Sequence, residues 1–404
     1  MRRSAPEPTP GHRVQLLQGA LEFFPALVRE MERARQSIHL ETYIFDTTGA
    51  GAEVAEALMR AARRGVRTRL VVDGVGTGPL PLPWRLRLQE AGVQVRVYSP
   101  LGPLGLLLPM RWRRLHRKLC VVDGQVLFCG GINVLDDYHD PNHGALTAPR
   151  FDFAVRTEGG LAAQAQGAME QLWRRMQAVR DMRLYKVAEA VQALRDTGRG
   201  ALQGPGEGGG VRAALLLRDN VRNRGRIERA YRRAIGAARH EVIIANAYFL
   251  PGGKLRRALV LAARRGVRVQ LLLQGRYEYF MQYHAARPVY GTLLRAGVEI
   301  YEYEPSFLHA KVAVIDAQGP RPWATVGSSN LDPLSLLLAR EANVVVEDAA
   351  FAAGLRQRLR HAMRNAGRRI EPARYERRPW RERALGWVAY ALMRAALWVT
   401  GKRY

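Results

Sequence analysis

The chain holds 404 residues, 48% of them hydrophobic, which suffices for two domain-sized cores and excludes a chain disordered throughout. Lysine and arginine number 63 against 36 acids, so the formal net charge is +27 and the field around the protein selects an anionic partner: nucleic acid or an acidic membrane surface. Only Cys120 and Cys129 carry thiols, which excludes a disulfide scaffold and suits a reducing compartment, although neighbouring strands would allow one bridge.

The N-terminal MRRSAPEPTPGHR lacks the apolar run of a secretory signal. A short strand, VQLL, then leads to the helical run LEFFPALVREMERA, the apolar strand QSIHLETYIF and a helix ending in AARRGVR at 61–67. The strand TRLVVDG follows, then EAGVQVRVYSP (90–100) and the apolar loop LGPLGLLLPM. LHRKLCVVDG (115–124), CGGIN (129–133) and RFDFAVRTEG complete the half, with helical runs to residue 195.

About two hundred residues later the same order returns. AARRGVR recurs verbatim at 262–268, HEVIIANAYF answers QSIHLETYIF, RAGVEIYEYEP (295–305) answers EAGVQVRVYSP, and LHAKVAVID (308–316) answers LHRKLCVVDG. A duplicated domain of alternating strands and helices results, which implies an α/β fold with a mostly parallel sheet flanked by helices. The expected divisions are a first domain at 1–196, a Gly-rich linker at 197–210, a second domain at 211–370, and a basic, aromatic tail at 371–404. Within the tail, ALGWVAYALMRAALWVT would form a helix of about 25 Å, short of a span. It reads as an interfacial helix with Trp380, Trp387 and Trp398 at headgroup depth, or else as a helix docked on the protein.

Lysine occurs only at 118, 186, 254, 311 and 402, yet two of these five stand two residues after His116 and His309, with Asp123 and Asp316 at matching separations. The period-two rule puts each histidine and lysine on one face of a strand. Burying a lysine needs an anionic partner, so a catalytic reading outweighs packing. After each motif comes a turn, CGGIN or VGSSN, whose Asn133, Asn330 and Ser328 (or Ser329) would offer donors to an oxyanion, the glycines allowing close approach. Asp152 and Glu341, following their histidines by similar distances and opening the next strand, are the expected acids that hold each imidazole in one tautomer. Asp123 and Asp316, at an odd separation from the histidines, turn away and are expected to brace the turn. These parts suit a phosphodiester: one imidazole attacks phosphorus, another protonates the leaving oxygen, and lysines and amides offset the developing charge.

The paired H-x-K-x4-D motifs with GGIN and GSSN resemble the phospholipase D superfamily. DNVRNRGRIERAYRRAI, EVIIANAYFLPGG and WATVGSSNLDPLSLLLAREANVVV are similar, more narrowly, to bacterial cardiolipin synthases of the shorter type without N-terminal membrane spans. The resemblance spans roughly residues 12–370. It implies two tandem phospholipase D-like domains with the active site at their pseudo-twofold interface. It implies a catalytic set of His116, Lys118, Asp123, His309, Lys311 and Asp316, with a phosphohistidine at His116 and His309 as general acid, the order being exchangeable by symmetry. No metal or cofactor is implied. The expected reaction moves a phosphatidyl group, from phosphatidylglycerol, to the hydroxyl of a second phosphatidylglycerol, at an anionic phospholipid membrane; a peripheral or monotopic place on the cytoplasmic face of the cell membrane follows. The alternative is a metal-independent phosphodiesterase, a phospholipase D-type hydrolase or nuclease, and a third reading is a binding module with a decayed site. Nucleic acid is disfavoured as partner because the arginines are scattered through helices instead of forming an aromatic-interleaved tract.

Overall fold

A computed structural model describes residues 6–102, 109–183, 209–219, 223, 225–277, 280–332 and 339–399. The loop 103–108 and nearly all of the expected linker lie outside these residues.

In the first half, β1 (Thr9–Gln18) runs into α1 (Gly19–Arg33), whose Phe23, Phe24, Leu27 and Met31 recur at helical spacing and are buried. β2 (Ser37–Thr42), β3 (Arg67–Asp73) and β4 (Gln94–Tyr98) are separated by α2 (Gly49–Arg63) and α3 (Leu82–Glu90), and pair in parallel, as helical crossovers require. Beyond β4 the connections change. After the two-residue β5 (Arg114–Leu115), β6 (Lys118–Val122) and β7 (Val126–Gly130) form a hairpin, with β6 antiparallel to β2. The small β8 (His139–Asp140) and β9 (Gly144–Ala145) ribbon precedes β10 (Phe153–Glu158), which lies antiparallel between β7 and β1, and α4 (Gly160–Arg183) closes the half.

The second half repeats this plan. β11 (Val211–Arg218) is followed by parallel β12 (Glu241–Asn246), β13 (Arg268–Gln274) and β14 (Glu299–Tyr303), then antiparallel β15 (Lys311–Ile315), β16 (Trp323–Gly327) and β17 (Ala339–Glu347). β18 (Gly367–Arg369) caps the edge beside β14. Each half is thus α/β where helices connect strands and antiparallel where short turns do.

β1 pairs antiparallel with β11, so the two sheets join edge to edge. Their inner faces also share one core: Leu119, Val121, Leu127 and Val155 from the first half pack with Ile243, Val312, Val314 and Val344 from the second, under α4 and the helix Ala349–Ala366. The outer faces have cores of their own. Cys129 faces the shared core and Cys120 the outer one, so the possible bridge between neighbouring strands is ruled out by the alternation of the pleat.

The tail helix Trp380–Val399 docks on the helix Phe280–Leu294. Ala389 and Met393 enter the outer core with Ala285, Val289 and Leu293, while Leu385, Trp387, Val388 and Leu392 stay exposed. The helix is docked on the protein, the second of the two expectations for it, and it keeps these apolar residues exposed. Among the described residues no helix is long and apolar enough to cross a membrane.

Asp123 and Asp316 end β6 and β15 in left-handed backbone, at φ 51° and 47°. Each carboxylate accepts three backbone N–H bonds at the entry to the neighbouring strand: Asp123 from Arg35, Gln36 and Ser37 at 2.8–2.9 Å, Asp316 from Arg239, His240 and Glu241 at 2.8–2.9 Å. These are structural anchors away from the histidines. Replacing Asp316 by Ala strands three donors and leaves a β-carbon in left-handed backbone without its local bonds, which should cost about 2–4 kcal/mol. A clear fall in melting temperature is expected; an unchanged melting curve would contradict the bracing role.

Candidate active site

The histidines lie just ahead of β6 and β15, not within a strand as expected, and the segments that carry them are held by the opposite half. β5 pairs in parallel with β17, and the His116 N–H donates to the Arg340 carbonyl at 3.1 Å. Symmetrically, Phe151 bridges Leu308: its N–H donates to the Phe307 carbonyl, and its carbonyl accepts from the N–H groups of His309 and Ala310. This exchange crosses the carboxylates over. His116 Nδ1 lies 3.0 and 3.2 Å from the oxygens of Glu341, and His309 Nδ1 lies 2.6 Å from Asp152 Oδ2. Each imidazole is therefore held by an acid from the other half, although sequence order sets Asp152 after His116 and Glu341 after His309. Glu341 sits within β17 and Asp152 just ahead of β10.

Lys118 and Lys311 are buried, and each ammonium donates to the carbonyl of its own motif's histidine, Lys118 at 2.8 Å. The Lys118 ammonium also stands 5.5 Å from the centre of the Tyr43 ring, whose edge meets His116 with ring centroids 5.0 Å apart. Asn133 and Asn330 line the cleft with the histidines. Asn133 Oδ1 accepts from the Ile44 N–H, which turns its amide nitrogen away from that contact, and Asn330 Oδ1 is buried without a hydrogen bond among the described residues.

Ser328 is a correction. Its hydroxyl is fully buried, donates to Glu341 Oε2 and accepts from the Ala342 N–H, so it steadies the acid behind His116 instead of facing a phosphate. The close approach that the glycines permit is also to protein: a side chain on Gly131 would collide with the Asp152 carboxylate, and one on Gly327 with Asn343.

Sequence reasoning missed Asp73, wholly buried at the end of β3. It accepts from the Leu115 N–H at 2.7 Å and from Arg114 at 3.1 Å, fixing the segment that delivers His116. Its position at the carboxyl end of a parallel strand, where α/β sheets place their sites, is the signal that could have found it. Tyr43 and Arg150 also line the cleft, which has a volume of about 520 Å³. Among the described residues no three His, Cys, Asp or Glu side chains gather as metal ligands.

The two imidazole–acid pairs differ electrostatically. Burial lowers the His116 pKa; Glu341 pulls against it, and Lys118 adds to the lowering. Glu341, although burial pushes its own pKa upward, is held below the usual carboxylate range by His116, Lys118 and Arg218. Burial raises Asp152 to about 7 against the pull of Lys311, and His309 falls well below its ordinary value through burial, Lys311 and Lys118. Lys118 is lowered by burial to about 7.

A family described as "Cardiolipin synthase, PLD-like domain" matches residues 27–149 and 231–363. Cardiolipin synthase B of Salmonella typhi is 38% identical over 92% of this chain and 85% of that protein, and cardiolipin synthase B of Escherichia coli (strain K12) is 37% identical over the same shares. The crystal structure of phosphatidylserine synthase from Haemophilus influenzae Rd KW20 superposes with a TM-score of 0.67, covering 98% of this chain and 96% of that one; at 13% identity this likeness concerns the fold. The two matched regions fall one in each half of the duplicated fold, each holding one histidine of the cleft, and the chain belongs to the cardiolipin synthase family of phospholipase D-like proteins.

Proposed function

We propose that the protein is a cardiolipin synthase, moving a phosphatidyl group from one phospholipid, phosphatidylglycerol first among them, to the hydroxyl of a phosphatidylglycerol through a phosphohistidine. One observation carries the reading: two imidazoles share a single cleft, each backed by the other half's acid, in a chain similar over most of its length to cardiolipin synthases.

The unequal acids support an order for the two histidines. Ionised Glu341 accepts the Nδ1–H of neutral His116 and leaves its Nε2 lone pair for phosphorus. The Asp152–His309 pair keeps one more proton, so that Nε2–H of His309 can be given away. His116 Nε2 bonds to phosphorus as the phosphorus–oxygen bond to the leaving glycerol breaks, and that oxygen takes the His309 proton while Asp152 passes its own proton to Nδ1. The acceptor hydroxyl then returns a proton to His309 as its oxygen displaces His116. Lys118, Lys311, Asn133 and Asn330 offset the charge that builds on the equatorial oxygens.

The membrane side of the reading rests on the exposed Leu385, Trp387, Val388 and Leu392, beside exposed Arg381, Arg383 and Arg394 on the tail helix, and on Phe280 and Met281 of the helix that holds it. An apolar strip ringed by arginines suits an anionic lipid surface.

Wild-type protein with phosphatidylglycerol vesicles should yield cardiolipin, and His116→Ala should lose at least about 10³-fold in rate. Denaturing the enzyme in dodecyl sulfate at neutral to alkaline pH, where the acid-labile phosphorus–nitrogen bond survives, should trap label from a phosphorus-labelled phosphatidyl donor on His116; label on His309 would reverse the order, and no cardiolipin from phosphatidylglycerol, with or without phosphatidylethanolamine, would refute the function. The extra proton of the Asp152–His309 pair is held below about pH 7 and lost above it, and Lys118 loses its charge over the same interval, so the transfer rate should fall as pH rises through 7. A rate rising over that range would contradict the proton assignment. Placing Glu at both Leu385 and Leu392 should weaken co-sedimentation with phosphatidylglycerol vesicles by about 10-fold or more, at unchanged melting temperature; undiminished binding would remove the tail from the interface.

A further inference from the structure

The two halves match around the phosphate position but not at the rim of the cleft. Between Asn133 and Asp152 the first half carries an excursion with the β8–β9 ribbon, whereas the second passes from Asn330 to Glu341 in far fewer residues. This excursion ends in Arg150, Phe151 and Asp152, where Phe151 bridges Leu308, so it lies over the His309 side of the cleft. Its charged groups are fixed in different ways. Asp140 is fully engaged, accepting at Oδ1 from the Asn142 and His143 N–H groups and from the His143 ring, and at Oδ2 from Arg150 at 2.9 Å. Arg150 is held in turn by the Asp136 and His139 carbonyls. Asp137 is different. It lines the cleft at 7% exposure and accepts from the Ala20 N–H at Oδ2, 2.5 Å away, while Oδ1 makes no hydrogen bond among the described residues.

A carboxylate oxygen that takes no protein donor and belongs to a residue lining the reaction cleft is available to a donor from the ligand. Burial raises Asp137 to about 6, so it is ionised at neutral pH and only accepts. In the proposed reaction the oxygen that leaves, and later the oxygen that attacks, must both meet His309. Each belongs to a glycerol unit with a free hydroxyl on the adjacent carbon. An ammonium headgroup is a poorer match, because Arg150, Lys311 and Lys118 make the surroundings cationic. Resting on the cardiolipin reading, we infer that Asp137 accepts a hydrogen bond from that adjacent hydroxyl, and so selects glycerol-bearing groups over monohydric alcohols and amines on the His309 side of the cleft.

The test uses the full chain in detergent micelles with a phosphatidyl donor whose leaving group is nitrophenol, so that loading of His116 makes no use of a headgroup hydroxyl. Deuterated glycerol and 1-propanol compete at equal concentration, and mass spectrometry reads the ratio of phosphatidylglycerol to phosphatidylpropanol. Wild type should favour glycerol, and Asp137→Ala should lower the ratio about 10- to 100-fold. Asp137→Asn, whose single acceptor oxygen can serve either the Ala20 N–H or the ligand hydroxyl but not both, should fall between them. A ratio equal in wild type and Asp137→Ala, or a wild-type preference for ethanolamine over glycerol, overturns the inference. If wild type releases nitrophenol but passes nothing to any alcohol, the synthase reading fails as well, and that result is distinct from a lost preference.

Discussion

The exchange of short backbone pairings between the halves is the constraint on which the site depends. β5 lies along β17 and Phe151 along Leu308, so each histidine is delivered to an acid that its own half does not contain. A half isolated from its partner would hold an imidazole with no carboxylate and a buried carboxylate with no imidazole, both costly. The shared core of the inner sheet faces supplies the complementary force: it is apolar, contributed by both halves, and holds them at one separation. Packing thus sets the distance across the cleft, while the exchanged hydrogen bonds set the direction of each ring.

A symmetric frame would leave the two histidines equivalent, and a two-step transfer needs them unequal. Inequality enters through the acids. Glu341 is approached by His116, Lys118, Arg218 and the Ser328 hydroxyl, all of which favour its charge. Asp152 is equally buried, and there burial outweighs the pull of Lys311, the Phe153 N–H and Lys118, with the Asp137 carboxylate adding a little to the opposition.

Much of this architecture was legible in the residues because duplication repeats a signal that a single copy leaves ambiguous. The returned AARRGVR segment, the two scarce lysines after histidine and the odd offset of Asp123 and Asp316 are local facts of spacing, and spacing survives folding. What spacing cannot carry is which half meets which. The crossing of Asp152 to His309 and Glu341 to His116 depends on the sheets stacking face to face, a long-range outcome of packing. Ser328 was misread for the same reason: a serine beside a glycine turn offers a hydroxyl to either side of the strand, and only the position of Glu341 decides. Cys120 and Cys129 sit on adjacent strands, but their register places one on each face of the pleat. The tail was legible as amphipathic, while its docking partner, the helix Phe280–Leu294, carries no marker in the sequence that names it.

The arrangement also separates two tasks that a transferase must keep apart. In the proposed reaction the lysines, asparagines and imidazoles would serve phosphorus in matched pairs from both halves, and such a cradle would handle entering and leaving oxygens alike, as a reversible displacement requires. Discrimination between an alcohol and water, or between one alcohol and another, must then come from groups that lack a counterpart. The first-half excursion is such a group of residues, rigidified by the Arg150–Asp140 pair and anchored through Phe151 to Leu308, next to His309 and ahead of β15. Duplication followed by divergence of one rim leaves the displacement chemistry intact while giving one side of it a choice of partner, so changes confined to the excursion can alter which hydroxyl is used without disturbing the cradle.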